Sequence, residues 1–184
     1  MLTVSLPGMV REAVVLPGGS NGPHAPLLMY AADAAEARGA AVRHVHWTPA
    51  YDPTALPLAE AGPWVAAQVP RLSGLVIGKS LGTLAASVAA DAGAPAVWLT
   101  PLLRTQWTVE SLRRATAPVL LVGGTVDQHW DGELARALTP HVLEVDGADH
   151  GMYVPGPLAA SAEVLGRVAT AVEAFLDNVV WPVR

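Results

Sequence analysis

Apolar residues along the chain follow two alternating spacings. Short runs of consecutive apolar residues, typical of buried strands, occur at residues 13–16, 41–47, 75–77, 95–100, 118–124 and 141–146. Longer segments with apolar residues three or four positions apart predict helices at residues 26–35, 64–69, 81–90, 109–115, 131–138 and 158–179. Strands this apolar are buried on both faces, which is typical of a parallel sheet. The pattern therefore predicts an α/β fold, with a mostly parallel sheet of about six to seven strands and helices on both faces.

Glycines and prolines mark where these elements end. Gly39 and Gly93 follow two of the predicted helices, at the position where a left-handed residue commonly closes a helix. Several prolines between residues 48 and 63 predict an extended loop before the next helix. Residues 2–10 alternate weakly and predict an edge strand or an extended lead-in. No repeat or linker interrupts the chain, so its 184 residues are expected to form a single domain.

The strand at residues 75–77 runs into Gly78-Lys79-Ser80-Leu81-Gly82, which has the Gly-x-Ser-x-Gly pattern of a nucleophile elbow. In such an elbow the strand turns sharply into a helix and exposes the serine hydroxyl above the sheet edge. The flanking positions must be glycine because a side chain there would collide with the neighbouring chain. Gly78-Lys79-Ser80 also resembles the end of a phosphate-binding loop, but that motif requires a glycine where this chain has Ser73. A glycine-rich turn without chemistry is the third interpretation.

Charge and composition limit which kinds of partner, such as nucleic acid, metal or membrane, the chain is expected to bind. The chain has a net charge of −5 and a single lysine, Lys79, which disfavours nucleic acid as a partner. It has no cysteine, and therefore neither disulfides nor thiolate metal sites. We find neither a signal-peptide pattern nor an apolar run of about 18 residues, so we expect a cytoplasmic protein without a membrane partner. His44 and His46 share one face of a predicted strand, but no acidic ligand lies nearby in sequence, and we expect no metal.

Chemically active side chains follow three of the predicted strands. Ser80 follows the central strand, Asp127 the strand at residues 118–124, and His150 the last one. Since the carboxyl ends of parallel strands meet at one edge of a sheet, these side chains are expected to converge there. A histidine can remove the serine proton and a carboxylate can orient that histidine, so this chain order is typical of an elbow nucleophile. The alternative acids are Asp131, Asp146 and Asp149, and the alternative base is His129.

The first clear strand ends in a glycine-rich loop, residues 17–23. Its glycines leave backbone N–H groups unobstructed, which an oxyanion hole requires. A tight connection between a strand and a helix would have the same composition. The loop is therefore compatible with both interpretations.

Four sequence blocks at these strand ends resemble the α/β-hydrolase superfamily, and within it small lidless hydrolases of the dienelactone-hydrolase-like type. The resemblance implies Ser80 as nucleophile, His150 as general base and Asp127 as its acid partner. It also implies an oxyanion hole formed by the backbone N–H groups of Gly19 and Leu81, with neither metal nor cofactor. The chain departs from the superfamily in having Pro17 where a histidine is usual, and it lacks the cysteine nucleophile of dienelactone hydrolases proper. The blocks are Pro17-Gly18-Gly19, Gly78-Lys79-Ser80-Leu81-Gly82, Gly124-Thr125-Val126-Asp127 and Gly147-Ala148-Asp149-His150-Gly151.

This resemblance implies a serine hydrolase that cleaves a carboxylic ester of a small or soluble substrate through an acyl-enzyme on Ser80. A thioesterase or another acyl transfer enzyme would use the same residues, and a non-catalytic binding protein could retain the fold. The chain has no insertion between residues 99 and 110 large enough for a lid, so an open site is expected. Lys79 is expected either in solvent or at the mouth of the site, where it would attract a carboxylate or phosphate. The candidate rim residues, for which ordinary packing is the alternative, are Trp107, Trp130, Met152 and Tyr153.

Overall fold

A single sheet forms the centre of the molecule in the computed structural model, which describes residues 11–20 and 22–182. Within these ranges the strands are β1 (Arg11–Leu16), β2 (Ala40–His44), β3 (Leu75–Lys79), β4 (Ala96–Leu99), β5 (Val119–Gly124) and β6 (His141–Val145). Their order is β2-β1-β3-β4-β5-β6, and every neighbouring pair is parallel. The predicted parallel sheet is confirmed. The expectation for residues 2–10 lies outside the described residues.

Helices cover both faces of this sheet. Val15 and Ile77 pack against α1 and α6 on one face, whereas Val14 and Val76 belong to the core that includes α2 to α5 on the other. Successive strand residues therefore enter opposite cores, which explains why the strands are apolar throughout. The helices are α1 (Pro26–Glu36), α2 (Gly62–Gln68), α3 (Ala86–Ala92), α4 (Gln106–Arg114), α5 (Gly132–Leu138) and α6 (Leu158–Phe175), with 3₁₀ segments at Leu58–Glu60 and Ser80–Ala85 and a π-helical turn at Leu176–Val180.

Several element boundaries differ from the predictions, and the causes of two of these differences can be identified. β2 ends at His44 rather than at residue 47, because its partner β1 ends at Leu16 and offers few further backbone groups for pairing. α4 begins at Gln106 instead of residue 109. The half-buried Trp107 anchors that first turn by donating from Nε1 to the carbonyl of Leu84 at 2.8 Å. Both differences arise from contacts with other segments.

The carboxyl edge of the sheet carries no inserted domain within the described residues. β4 and α4 are joined by residues 100–105 alone, which is too short a segment to form a lid domain. The loops that follow β1, β3, β5 and β6 consequently meet at an open edge. Separately, none of the helices in the described ranges combines the length and the apolar character needed to cross a membrane.

Candidate active site

Ser80 stands on a sharp turn between β3 and the 3₁₀ segment Ser80–Ala85, which leads into α3. Its φ of 50° is in the left-handed region, which residues other than glycine rarely adopt without support from their surroundings. A Cβ at Gly82 would lie 2.4 Å from a carbonyl oxygen of β1, and one at Gly78 would lie 2.5 Å from the Trp98 ring. Close packing therefore requires glycine at both positions, as the Gly-x-Ser-x-Gly pattern predicts.

A chain of hydrogen bonds links three of the predicted site residues. The His150 ring lies between the other two, with Nε2 2.8 Å from Ser80 Oγ and Nδ1 2.7 Å from Asp127 Oδ2. The second oxygen of Asp127, Oδ1, accepts a hydrogen bond from the His129 N–H at 2.9 Å. These distances are those of a nucleophile, a base and a group that orients the base. With Nδ1–H donating to the carboxylate, Nε2 is free to accept the serine proton.

The loops that carry Asp127 and His150 are joined to each other by hydrogen bonds. The N–H of Thr125 donates to the carbonyl of Val145 at 3.0 Å. The hydroxyl oxygen of Thr125 accepts the N–H of Gly147 at 2.8 Å. The pairing of β5 with β6 thus continues beyond the strand ends and sets the position of the carboxylate relative to the imidazole.

Asp127 is the buried acidic group of the site. Its side chain is fully buried, whereas the side chain of His150 is 35% exposed. Burial raises the pKa of Asp127, but hydrogen bonds from His150 and from the His129 N–H outweigh burial, so this pKa lies below its ordinary value. Asp127 is therefore ionised at neutral pH. Its charge stabilises a positive charge on His150 whenever that ring takes up a proton.

The N–H groups predicted for an oxyanion hole belong to Gly19 and Leu81. Leu81 is the second residue of its 3₁₀ segment, where an N–H has no acceptor within the helix. A Cβ at Gly18 would lie 3.7 Å from the Cβ of Ser80, so the loop that contains Gly19 passes directly against the serine. Within the described ranges, neither N–H donates to an acceptor in a loop or turn. Both groups therefore belong to segments next to Ser80 and have no acceptor among the described loops and turns.

Trp47 fixes the peptide unit that carries the Gly19 N–H. Its Nε1–H donates a hydrogen bond of 3.1 Å to the carbonyl of Gly18, which belongs to that same peptide. Because the C=O and N–H of a trans peptide point in opposite directions in one plane, holding the carbonyl also directs the N–H. Trp47 packs in turn on Trp64, with 5.6 Å between ring centroids. Trp47 was not predicted from the sequence, because no local spacing connects it with a glycine 29 positions away.

Known structures share this architecture, although no sequence profile of a known family and no curated protein sequence matches the chain. A serine hydrolase without a lid from Xanthomonas campestris has a TM-score of 0.60 and 17% identity, covering 95% of this chain and 84% of that one. The chain has the α/β-hydrolase fold. A dienelactone hydrolase from Anabaena variabilis has a TM-score of 0.61 and 17% identity, covering 95% of this chain and 88% of that one. Est1E from Butyrivibrio proteoclasticus, with ferulic acid bound, has a TM-score of 0.64 and 14% identity, covering 94% of this chain and 90% of that one.

The alternative acids and the alternative base of this α/β-hydrolase fold have other partners. Asp131 accepts an N–H at the start of α5, and Asp146 accepts a threonine hydroxyl from the loop after β5. Asp149 accepts two N–H groups of its own loop. The ring of His129 packs edge-on against that of His150, with 5.2 Å between centroids, and burial followed by the charge of His150 lowers the pKa of His129. None of the four is hydrogen-bonded to the serine among the residues that the structure describes.

Lys79 is buried, which corrects the expectation of a lysine in solvent. Only 6% of the residue is exposed, and Nζ donates to the His150 carbonyl and to Thr100 Oγ1, each at 3.2 Å. Burial lowers the pKa of Lys79, and the charges of Asp127 and Asp149 oppose this effect. A signal for burial was present in the sequence, because the period of two along β3 puts position 79 on the face that the buried residues at 75 and 77 occupy.

Backbone strain is concentrated around the same site. In the described ranges, the residues other than glycine with positive φ are Ser80 (50°), Thr100 (45°) and Met152 (64°). Thr100 Oγ1 accepts a hydrogen bond from the Lys79 ammonium, and Met152 lies two positions after His150. Such conformations persist only where the surrounding structure holds them. The hydrogen bonds and packing at this edge therefore hold a backbone arrangement that the local sequence disfavours.

Two of the four candidate rim residues, Trp107 and Trp130, are packing residues. Trp130 is 5% exposed and donates from Nε1 to the Glu144 carboxylate at 2.6 Å, while Met152 is 3% exposed. Trp107 packs on α2 and is half-buried. Tyr153, in contrast, is 54% exposed. Of these four side chains, only Tyr153 stands in solvent.

His44 and His46 do not form part of a larger group of ligands. The ring of His44 packs against that of His24, with 5.1 Å between centroids. Within residues 11–20 and 22–182, no group of three or more His, Asp or Glu side chains is placed to hold a metal ion.

Proposed function

We propose that the chain is a serine hydrolase that cleaves a carboxylic ester of a small substrate through an acyl-enzyme on Ser80. The observation that carries this proposal is the unbroken path of hydrogen bonds from Asp127 through His150 to Ser80 Oγ, at 2.7 and 2.8 Å. The strained backbone of Ser80, with its φ of 50°, is the second support, since strain of this kind is typical of functional sites. The fold shared with a lidless serine hydrolase agrees with this chemistry.

In the first half of the reaction, His150 Nε2 takes the hydroxyl proton while Ser80 Oγ attacks the acyl carbon. The carbonyl oxygen becomes negatively charged and is bound by the N–H groups of Gly19 and Leu81. The ionised Asp127 stabilises the imidazolium that has formed. The bond from carbon to the alcohol oxygen then breaks, and the alcohol leaves with the proton from His150.

In the second half, water replaces the alcohol. His150 removes a proton from water as its oxygen attacks the acyl carbon, and the same two N–H groups bind the second oxyanion. Collapse of this intermediate releases the acid and returns the proton to Ser80 Oγ. The open carboxyl edge of the sheet, which has no lid within the described residues, gives water direct access.

A fluorophosphonate probe and a p-nitrophenyl butyrate assay test the proposal. Wild-type protein is expected to gain one probe per chain by intact mass, and Ser80→Ala none. Hydrolysis by Ser80→Ala should fall to a residual rate about 10³- to 10⁴-fold above that in water, because the oxyanion hole remains. Ser87→Ala is the matched control, since the Ser87 hydroxyl is buried in α3 without a hydrogen-bond partner among the described residues. Labelling or wild-type activity in Ser80→Ala would refute the proposal.

The leaving group is tested by a second comparison. The butyryl ester and a butyryl thioester with a leaving group of similar size are compared by kcat/KM. A higher value for the ester supports the proposed activity. A higher value for the thioester would assign the same residues to a thioesterase.

A further inference from the structure

A cavity of about 760 Å³ lies beside the proposed catalytic residues, between the first turns of α1 and α6 and the loop that follows β6. This volume is within the range of small-molecule binding sites. Leu27, Met152 and Leu165 contribute apolar wall, and Leu158 and Tyr153 also line the cavity. The cavity is therefore large enough, and apolar enough, for an organic ligand.

Leu158 and Tyr153 also stand out by their exposure. They are 75% and 54% exposed, respectively. The described residues include five exposed large apolar side chains, so two of the five border this one cavity. Exposed apolar surface gathered around a concavity is typical of a site that a ligand covers.

Lys79 is the charged group of this cavity. Among its lining residues within the described ranges, Lys79 is the only lysine or arginine, His24 is the only histidine, and none is acidic. Its Nζ donates to two neutral acceptors, and no carboxylate of the described residues lies within 4.0 Å of it. An ammonium has three N–H donors, so one is left without a partner among these residues. Asp127 and Asp149 act on this ammonium only from beyond 4.0 Å. A buried ammonium that no carboxylate contacts directly is unfavourable, and a ligand anion in contact with it would reduce that cost.

We propose that this cavity binds a small organic anion, consisting of one carboxylate on an apolar body, and that the carboxylate is the counter-ion of Lys79. The carboxylate accepts the third N–H of Nζ in a charge-assisted hydrogen bond. The apolar body lies along Leu27, Met152 and Leu165 and reaches Leu158. The net charge of the chain is −5, so the preference for an anion comes from Lys79 and not from general attraction.

The site is joined to the proposed catalytic histidine through one side chain. Lys79 Nζ donates to the carbonyl of His150 at 3.2 Å, and Lys79 directly precedes Ser80 in the chain. The bound carboxylate has two sources with the same chemistry: a part of the hydrolysed substrate or its acid product, and a separate ligand. Inhibition kinetics distinguish them.

Calorimetric titration with octanoate and with octanamide, its neutral counterpart, tests the site. The measurements use Ser80→Ala protein, so binding is observed without turnover and does not depend on the proposed function. Octanoate is expected to bind at least 10-fold more tightly than octanamide. Adding Lys79→Met should lower the affinity for octanoate by about 10-fold or more and leave the affinity for octanamide unchanged. Equal weakening of both ligands would mean that Lys79 acts only on the structure, and would overturn the proposal.

A second pair of variants avoids the buried lysine. Leu158→Asp changes a 75% exposed side chain of the cavity lining and is expected to weaken octanoate. Tyr30→Asp is the matched control, because Tyr30 is 44% exposed and lies outside the cavity. Equal effects of both changes would show non-specific adsorption. Absence of binding by both octanoate and 3-phenylpropionate at millimolar concentration would also overturn the proposal.

Inhibition of ester hydrolysis by octanoate in the wild-type protein identifies the source of the carboxylate. Competitive inhibition supports the site as part of the substrate pocket. Inhibition that lowers kcat without raising KM supports a separate ligand that acts through the Lys79 bond to His150. If the wild-type protein hydrolyses no ester, the calorimetric result still decides the binding proposal by itself.

Discussion

Replacing Trp47 with phenylalanine tests how the oxyanion hole is held. The change removes the indole N–H that donates to the Gly18 carbonyl at 3.1 Å, and it keeps an aromatic ring against Trp64. Without that hydrogen bond, the peptide between Gly18 and Gly19 is free to rotate, since glycine restricts its neighbours least. The Gly19 N–H then loses its fixed direction.

The size of the effect follows from the kind of hydrogen bond that is lost. A bond between neutral groups contributes about 0.5 to 1.5 kcal/mol. If this free energy acts only in the transition state, kcat falls by about 2- to 13-fold, at roughly 1.36 kcal/mol for each factor of ten. Complete loss of one oxyanion donor costs about 10²- to 10³-fold, which sets the upper limit. KM should stay unchanged, because the ground-state carbonyl carries little charge.

The assay measures kcat and KM for p-nitrophenyl butyrate, together with the affinity for a trifluoromethyl ketone. That ketone forms a charged adduct with the serine, so its affinity should fall by the same factor as kcat. Trp64→Phe is the matched control. Trp64 lies in the same aromatic cluster, 5.6 Å from both Trp47 and Tyr51 between ring centroids, so the control changes similar packing and leaves the bond to Gly18 in place.

The reasoning is refuted if both tryptophan variants lower kcat equally, because packing alone would then account for the loss. It is also refuted if Trp47→Phe raises KM while kcat and ketone affinity stay at wild-type values. A lower thermal midpoint with unchanged kcat would assign Trp47 to stability only.

Three further predictions concern the acid, the elbow and the buried lysine. Asp127→Asn should lower kcat roughly 10⁴-fold by favouring the wrong histidine tautomer; Asp149→Asn should do far less, because asparagine still accepts N–H groups. Gly82→Ala should lower the free energy of unfolding by about 1 to 3 kcal/mol, because the added Cβ meets a carbonyl of β1. Gly166→Ala is the control, because its Cβ would lie in open space on α6, and it should raise the free energy of unfolding by about 0.5 to 1 kcal/mol. The pKa of Lys79 is lower in the folded protein than in the unfolded chain. Between this lowered pKa and about pH 10.4, the unfolded chain therefore binds more protons. The free energy of unfolding of the wild-type protein should consequently rise with pH in that interval, relative to Lys79→Met.

Kinetics and denaturant titration decide among these outcomes. A larger loss of kcat in Asp149→Asn than in Asp127→Asn would move the acid to the histidine loop. Equal stability of the two glycine variants would contradict the close approach at the elbow. For Lys79, a stability difference that is independent of pH between neutral and alkaline conditions would contradict the effect of burial on its pKa.

Local patterns were sufficient to predict the fold. The apolar runs of β3 and β5, each followed by glycine and then by a helical period, specify parallel strands with helices on both faces, because such strands must be covered twice. The glycines at positions 78 and 82 were predicted for the same kind of reason, since a side chain there has no space whatever the rest of the chain does. The roles of Ser80, Asp127, His150, Gly19 and Leu81 in catalysis stay predictions, although the structure brings the first three into hydrogen-bond contact.

The burial of Lys79 shows that residue type misled the prediction although the strand alternation indicated burial. One expectation for a lysine beside an exposed-looking serine was a position in solvent, yet the alternation along β3 turns it into the core. Because burying a charge costs free energy, the lysine side chain favoured an exposed position, whereas the alternation along β3 favoured a buried one. The geometry prevailed because Thr100 and the His150 carbonyl accept two of its N–H groups.

Contacts between distant segments were decided by the tertiary structure alone. The bond from Trp47 to Gly18 spans 29 positions and the bond from Lys79 to His150 spans 71. The cavity beside them is bordered by residues of α1, α6 and the loop after β6. The sequence determined which strands would exist and which side chains would follow them, since these depend on neighbours within a few positions. Distances between loops depend on how all the elements pack, so the positions of the Gly19 peptide, the buried ammonium and the cavity emerged only in three dimensions.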